Sequence, residues 1–282
     1  IPSETNVIGK SAFEGCVSLK KIVLKTFVDE EYDAEMTGAI TVANRGFYNC
    51  ISLQEITNPT RLTTVGREAF KGCKSLRTLD VTGLAVSYES AFENCTSLSE
   101  LKLSAFTSPS VNMFKGCTAL ETVTYPMKSV SDGMFSGCVN LKTITFTQSL
   151  SYVGAEAFAN TSLTSITIPG GDVRIGAYAF KNCAELTRFT VGSGARLNFV
   201  GIKPFDGCAK FTAFALDGNT DYFVDGGILY NAAKTQIVFV PEAVTSVTSL
   251  PSSVTEIGNN VFAGKTSLKS FNFAGITKIG DY

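Results

Sequence analysis

Eight cysteines are the residues of this chain with the most obvious capacity for chemistry. An even count in a secreted chain suggests four disulfide bonds, and grouped thiolates can bind zinc. All eight, however, occupy one slot, three positions after a phenylalanine: Cys16, Cys50, Cys73, Cys95, Cys117, Cys138, Cys183 and Cys208. Side chains stacked in one column have parallel Cα–Cβ bonds, which suit neither a disulfide nor a tetrahedral metal site. The spacing therefore predicts a structural ladder of free, buried thiols, each a small hydrophobe with a weak S–H donor.

Histidine is absent from the chain. Its absence excludes histidine general bases, Ser-His-Asp and Cys-His nucleophile systems, and histidine-ligated metals. No set of nucleophile, base and orienting group can be assembled from the remaining residues. We therefore expect a protein that is not an enzyme and that uses no cofactor.

Two acidic segments could hold calcium, which prefers oxygen ligands. Residues 29–35, Asp-Glu-Glu-Tyr-Asp-Ala-Glu, place five carboxylates within seven positions. Their spacing matches no calcium loop, so an exposed charged loop is the alternative. Residues 217–221, Asp-Gly-Asn-Thr-Asp, lack the glutamate that the EF-hand pattern requires, and a turn explains them better. No residue is assigned as a metal ligand.

Charge and hydropathy argue against two classes of partner. The formal net charge is −1 and charged residues make up 17% of the chain, so there is no electrostatic case for binding nucleic acid. No apolar run approaches the ~18–20 residues of a membrane span. We expect neither nucleic-acid binding nor membrane insertion within this chain. Oligomeric state is left open.

The cysteines belong to a repeated motif, and a phenylalanine is present in all ten copies of it whereas cysteine is present in eight. Successive phenylalanines of the motif lie 34, 23, 22, 22, 21, 23, 22, 25 and 57 residues apart. A period near 22 predicts one supersecondary unit stacked on copies of itself, with the rings as a structural column. The column comprises Phe13, Phe47, Phe70, Phe92, Phe114, Phe135, Phe158, Phe180, Phe205 and Phe262.

Each unit contains a strand, a short apolar pair ending in glycine, and a turn. Segments such as Leu163-x-x-Ile166-x-Ile168 show the alternation of a half-buried strand, and one strand per coil predicts a parallel sheet along one face. The position two after each phenylalanine is always glycine or asparagine. These two residues share tolerance of positive φ, so we predict a left-handed residue that closes at most one helical turn.

These motifs resemble the BspA-like leucine-rich repeat, whose unit reads L-x-x-I-x-L-P-…-V-x-x-I-G-x-x-A-F-x-G-C-x-S. Residues 250–262, Leu-Pro-Ser-Ser-Val-Thr-Glu-Ile-Gly-Asn-Asn-Val-Phe, are close to that unit. The resemblance implies an α/β repeat solenoid: a right-handed leucine-rich-repeat superhelix with a parallel β-sheet on its inner face and short turns or one-turn helices outside. It also implies a secreted or surface-anchored bacterial protein with roles in adhesion and co-aggregation, and no shared active site.

We expect a single solenoid over residues 1–282, a piece of a longer protein that starts and ends within a repeat. Two departures interrupt the period: an insertion at about 27–41 and an irregular hairpin unit at about 217–250. Repeat 7, around Phe158, lacks cysteine and is one residue shorter between its phenylalanine and its leucine.

The exposed face of the sheet is the candidate binding surface, because residues between the buried strand positions point outward. They are Lys21, Glu55, Thr57, Thr78, Asp80, Glu100, Lys102, Thr122, Thr124, Thr143, Thr145, Thr167, Arg188 and Thr190. Threonine is abundant and aromatics are absent, so a merely solvated β-surface is the alternative. We expect a non-catalytic module, extracellular or at the cell surface, that binds a host or bacterial protein. The alternatives are carbohydrate binding through Tyr222, Phe223 and Tyr230, or a structural spacer.

Overall fold

The strands predicted from the Leu-x-x-Ile-x-Leu pattern are present, and they pair in parallel. A computed structural model describes residues 1–25, 27–29, 34–36, 38–105, 109–199, 202–216 and 218–281. Strand Ser165–Ile168 pairs with Arg188–Val191, which pairs with Ala213–Leu216. Ile166 and Ile168 are buried whereas Ser165 and Thr167 are exposed, as the alternation predicts. We call this stack the leucine ladder.

The leucine ladder consists of Lys21–Val23, Glu55–Thr57, Thr78–Asp80, Glu100–Lys102, Thr122–Tyr125, Thr143–Phe146, Ser165–Ile168, Arg188–Val191, Ala213–Leu216, Ser246–Val247 and Ser270–Phe271. Backbone hydrogen bonds join them in five groups, in chain order 2, 2, 2, 3 and 2 strands.

A second parallel ladder runs along the coils, and the prediction of one sheet was incomplete. The apolar pairs before the recurring glycine are themselves strands, which we call the glycine ladder. Most are only two or three residues long and have no periodicity of their own, and the neighbouring coils hold their backbones at hydrogen-bonding distance. They are Val7–Ile8, Ile40–Val42, Leu62–Val65, Val86–Ser87, Ser129–Val130, Tyr152–Val153, Asp172–Ile175, Arg196–Phe199, Gln236–Phe239, Glu256–Ile257 and Lys278–Ile279.

The segment around each phenylalanine is a turn, and not a one-turn helix. Alternate N–H groups of the turn donate to the next coil: Phe47 N–H donates to Ala69 O and Asn49 N–H donates to Lys71 O, both at 2.8 Å. A helix would need those donors within its own turn. Among the described residues the helical segment is a single 3₁₀ turn, Pro59–Arg61. We call the stack of these segments the turn column.

Two left-handed residues shape each turn. The predicted one, two positions after phenylalanine, has φ between 55° and 77° in all ten repeats. A second, two positions before phenylalanine, was not predicted because its residue types vary, from Ser11 and Glu68 to Tyr178, with φ of 55°, 55° and 56°. Two reversals of φ four residues apart turn alternate N–H groups toward the next coil.

The phenylalanine rings stack from Phe13 to Phe205. Neighbouring centroids are 4.9–5.7 Å apart and the ring planes differ by 4–14°. Phe262 is the exception to the predicted column: it is half-buried in a separate cluster and meets Phe271 edge-on at 4.8 Å. The coil between Phe205 and Phe262 has no turn of this kind, so no phenylalanine continues the stack from Phe205 to Phe262.

Seven cysteine thiols bond the column from coil to coil. Each donates to the carbonyl oxygen of the phenylalanine in the preceding repeat at 3.0–3.3 Å. The described cysteines are free, and Cys16, in the first coil, is exposed. In repeat 7 Thr161 occupies the slot, and its Oγ1 donates to Phe158 O at 2.9 Å. The predicted ladder of free, buried thiols is present for seven of the eight cysteines, and Cys16 departs from it because no described coil precedes it.

The two departures from the period form antiparallel pairs. Phe27–Asp29 pairs with Ala34–Met36 in the insertion. In the hairpin unit Tyr222–Asp225 pairs with Ile228–Asn231, which pairs in turn with Gln236–Phe239. The buried guanidinium of Arg61 donates to Gly38 O at 2.8 Å, to Ser3 O at 3.0 Å and to Lys25 O, so it closes the base of the insertion.

Candidate functional site

The outward face of the leucine ladder carries all fourteen side chains named from the sequence. Eleven are exposed, and Thr57, Asp80 and Thr190 are half-buried. Parallel pairing places like positions side by side, so the residues form rows across the coils. The backbone thus presents this face as a regular polar surface.

Charged residues lie on the N-terminal part of this face. Lys21 Nζ lies 3.0 Å from Glu55 Oε1, and Lys102 Nζ lies 3.9 Å from Asp80 Oδ2, in both cases between partners on adjacent strands. Exposed pairs of this kind contribute about 0–1 kcal/mol to stability. A partner could therefore replace them at little cost to the fold.

Threonines form the central part of the face. Thr122 is paired with Thr143, Thr124 with Thr145, and Thr167 with Thr190. Within residues 109–199, which the structure describes without a break, none of these six hydroxyls has a hydrogen-bond partner on the protein. Each therefore offers one donor, two acceptor lone pairs and a methyl group to whatever lies against the face.

The hairpin aromatics do not form a sugar-binding platform. Tyr230 is only 1% exposed, and burial raises the pKa of its hydroxyl to about 12. Tyr222 is half-buried with its ring 5.7 Å from that of Phe199, and burial raises its pKa. The Lys234 ammonium covers the Phe223 ring at 3.6 Å. These contacts remove the flat, exposed rings on which carbohydrate binding through this unit would depend.

The possible calcium segments fall partly outside the described residues. Residues 30–33 of the acidic insertion and residue 217 of the second segment are not among them. In the described part of the chain no group of three or more acidic or thiol side chains could hold a metal ion. The exposed charged loop favoured for residues 29–35 therefore stays a prediction.

Six of the seven buried thiols have a raised pKa, which makes them poor nucleophiles because the thiolate is the reactive form. Burial raises the pKa of Cys50 to about 11 and of Cys95 and Cys138 to about 12. Hydrogen bonding to Cys183, followed by burial, raises the pKa of Cys208. These thiols stay protonated near neutral pH, which keeps them donors to the phenylalanine carbonyls.

Comparison with known families decides the class of protein. The model of the BspA type leucine rich repeat region matches in six copies, over residues 1–34, 35–132, 110–234 and 236–282. The chain belongs to the BspA-type leucine-rich repeat family. Leucine-rich repeats of this kind are generally non-enzymatic scaffolds that interact with proteins. No curated protein matches the chain.

Solved bacterial structures share the fold of this BspA-type chain. A leucine-rich repeat protein from Bacteroides ovatus is 23% identical with a TM-score of 0.56, covering 98% of this chain and 78% of its own. A leucine rich cell surface protein from Faecalibacterium prausnitzii is 21% identical with a TM-score of 0.59, covering 99% and 69%. A leucine-rich repeat protein from Eubacterium ventriosum is 24% identical with a TM-score of 0.56, covering 66% and 50%. In the described part of this chain no helix is long and apolar enough to cross a bilayer.

Proposed function

We propose that this BspA-type solenoid is a non-catalytic adhesion module at the bacterial cell surface that recognises a host or bacterial protein through the leucine ladder. The outward face of that ladder carries the proposal. Within each polar row, residues on neighbouring strands are about 4.8 Å apart, and a preordered surface loses little conformational entropy when it binds. The name of the Faecalibacterium prausnitzii relative supports the surface location.

Charge insertion on the threonine rows tests the proposal. Thr124 and Thr145 are adjacent, exposed and unbonded, so a Thr124→Glu/Thr145→Glu double variant adds two like charges without disturbing the core. We expect its affinity for immobilised matrix proteins or host-cell surfaces to fall about tenfold, equivalent to about 1.4 kcal/mol. Asn198→Glu, on an exposed position of the glycine ladder, is the control and should bind as the parent does.

The same assay separates the alternatives. A structural spacer gives no saturable binding to any surface. Equal loss in both variants would mean that the leucine ladder is not the recognition face. Circular dichroism of each variant establishes that the fold is unchanged before binding is compared.

A further inference from the structure

One coil of the solenoid is too short to include a turn. In the coil of Phe262, Ile257 of the glycine ladder and Phe271 of the leucine ladder are 14 positions apart. In the coil before it, Ile237 and Val247 occupy the same two places but are 10 positions apart. The segment between Ile237 and Val247 therefore passes from the glycine ladder to the leucine ladder without forming a turn. The turn column is therefore interrupted between the turns of Phe205 and Phe262, at a place we call the turn gap.

One side of the turn gap presents hydrogen-bond donors. In the preceding coil, Phe180 N–H donates to Pro204 O at 2.8 Å and Asn182 N–H to Asp206 O at 2.7 Å. The equivalent donors of the next coil are the N–H groups of Phe205 and Gly207. Within residues 202–216 and 218–281 neither of them has an acceptor.

The opposite side presents acceptors. By the same register, the carbonyl groups that would accept from a preceding turn are those of Val261 and Ala263. No described N–H group donates to either of them. The last turn is nevertheless formed normally, because Asn260 N–H donates onward to Asp281 O at 3.0 Å. The gap thus lies between two intact ladder edges with complementary polarity.

The space between these edges is a cavity of about 580 Å³, within the usual range of ligand pockets. Apolar side chains that include Phe199, Val238 and Phe239 line its wall. Its charged lining is largely internally paired: Lys265 Nζ lies 3.1 Å from Glu242, and Lys278 Nζ lies 2.5 Å from Glu256. An occupant with an apolar side chain therefore fits this lining better than a small ion.

We propose that the turn gap binds a peptide segment of a partner protein, which completes the turn column. A polypeptide in the conformation of the repeat's own turn has carbonyl groups on one edge and N–H groups on the other. Its carbonyls would accept from Phe205 and Gly207, and its N–H groups would donate to Val261 and Ala263. An apolar side chain of the segment would lie against Val238 in the cavity wall. Backbone pairing of this type is the basis of strand addition in peptide recognition, and it replaces water on four main-chain groups at once.

Repeat 7 supplies the probe, because its turn lacks cysteine. Residues 154–161 read Gly-Ala-Glu-Ala-Phe-Ala-Asn-Thr, and in the protein Phe158 N–H and Asn160 N–H donate to the next coil at 2.8 Å. An acetylated and amidated peptide of this sequence is titrated to about 1 mM against the whole chain by calorimetry. Amide NMR follows the Phe205 and Gly207 resonances. The matched control peptide carries N-methyl groups at its Phe and Asn, which removes both donors and keeps every side chain.

We expect saturable binding, shifts of both amide resonances, and about tenfold weaker binding of the N-methylated peptide. Ala263→Trp, which fills the gap, should weaken binding to the same extent, whereas Ala213→Trp, half-buried on the leucine ladder, should not. No saturation, equal binding of the two peptides, or equal loss in the two variants would overturn the proposal. The peptide comparison uses the unaltered protein, so it stands even where Ala263→Trp does not fold.

The turn gap is separate from the leucine ladder. Thr124→Glu/Thr145→Glu should therefore bind the peptide as the parent does, whatever its affinity for host surfaces. Failure of one proposal leaves the other open to its own test.

Discussion

Replacing Phe114 by alanine probes the packing that holds the coils together. The ring is fully buried and lies 5.7 Å from both Phe92 and Phe135, with planes inclined by 12° and 14°. A phenylalanine buries ~150–250 Å², and at ~25 cal/mol/Å² that area corresponds to about 4–6 kcal/mol. This is an upper bound because the unfolded chain already shields some surface. Since a cavity between two stacked rings cannot close easily, we expect unfolding to become easier by about 3–5 kcal/mol.

Urea denaturation followed by circular dichroism measures that loss. A repeat array can unfold in parts, so hydrogen exchange of the coils on each side of Phe114 should be followed as well, with protection falling first around the substitution. Phe273→Ala is the control, because this ring is 54% exposed, and it should cost less than about 1 kcal/mol.

The reasoning fails if Phe114→Ala costs less than about 1 kcal/mol, or if it costs no more than Phe273→Ala. Either result would mean that the stacked rings are not the main source of stability between coils. A uniform loss of protection along the whole chain would instead indicate a single cooperative unit.

Three further predictions concern the turn column. Cys117→Ala should cost about 1–2 kcal/mol, because it deletes the S–H donor to Phe92 O at 3.3 Å and leaves a small void. An unchanged denaturation midpoint would argue against the bond. Gly137→Ala should lower the free energy of unfolding by about 1 kcal/mol because φ is 75°, although the added methyl meets only ordinary contacts. Gly137→Asn should recover most of that stability, because asparagine tolerates positive φ. An unchanged denaturation midpoint for Gly137→Ala would contradict this reasoning. With a thiol reagent at pH 8, Cys16 should react at once and the seven buried thiols only after unfolding, since burial shields their sulfur atoms from the reagent and raises the pKa of thiols such as Cys95 and Cys138. Rapid reaction of all eight would disprove the ladder.

Local sequence was sufficient for the features that one repeat decides alone. Alternation in segments such as Leu163-x-x-Ile166-x-Ile168 predicted buried and exposed strand positions correctly. Glycine or asparagine two residues after phenylalanine predicted the left-handed turn, because few other residues adopt positive φ without strain. The shared slot of the cysteines predicted free thiols, since stacked side chains cannot converge.

Contacts between coils decided what the sequence could not. The glycine ladder escaped prediction because a pair such as Tyr152-Val153 has no periodicity of its own. The turns are not helical because Phe47 and Asn49 direct their N–H groups to the next coil. Arg45 and Tyr178 adopt positive φ, although arginine and tyrosine have no preference for the left-handed region.

The sequence of this chain determined that it is a stack of like coils and which side chains each coil buries. Tertiary structure decided how the edges of those coils meet, and with that the position of the turn gap. The physical reason is that side-chain burial follows from composition and spacing along the chain, whereas a backbone donor acquires its acceptor only when another coil is placed beside it. In the sequence, the four residues missing between Ile237 and Val247 look like an ordinary irregularity. Only the structure shows that their absence leaves the N–H groups of Phe205 and Gly207 facing the carbonyl groups of Val261 and Ala263 across the turn gap.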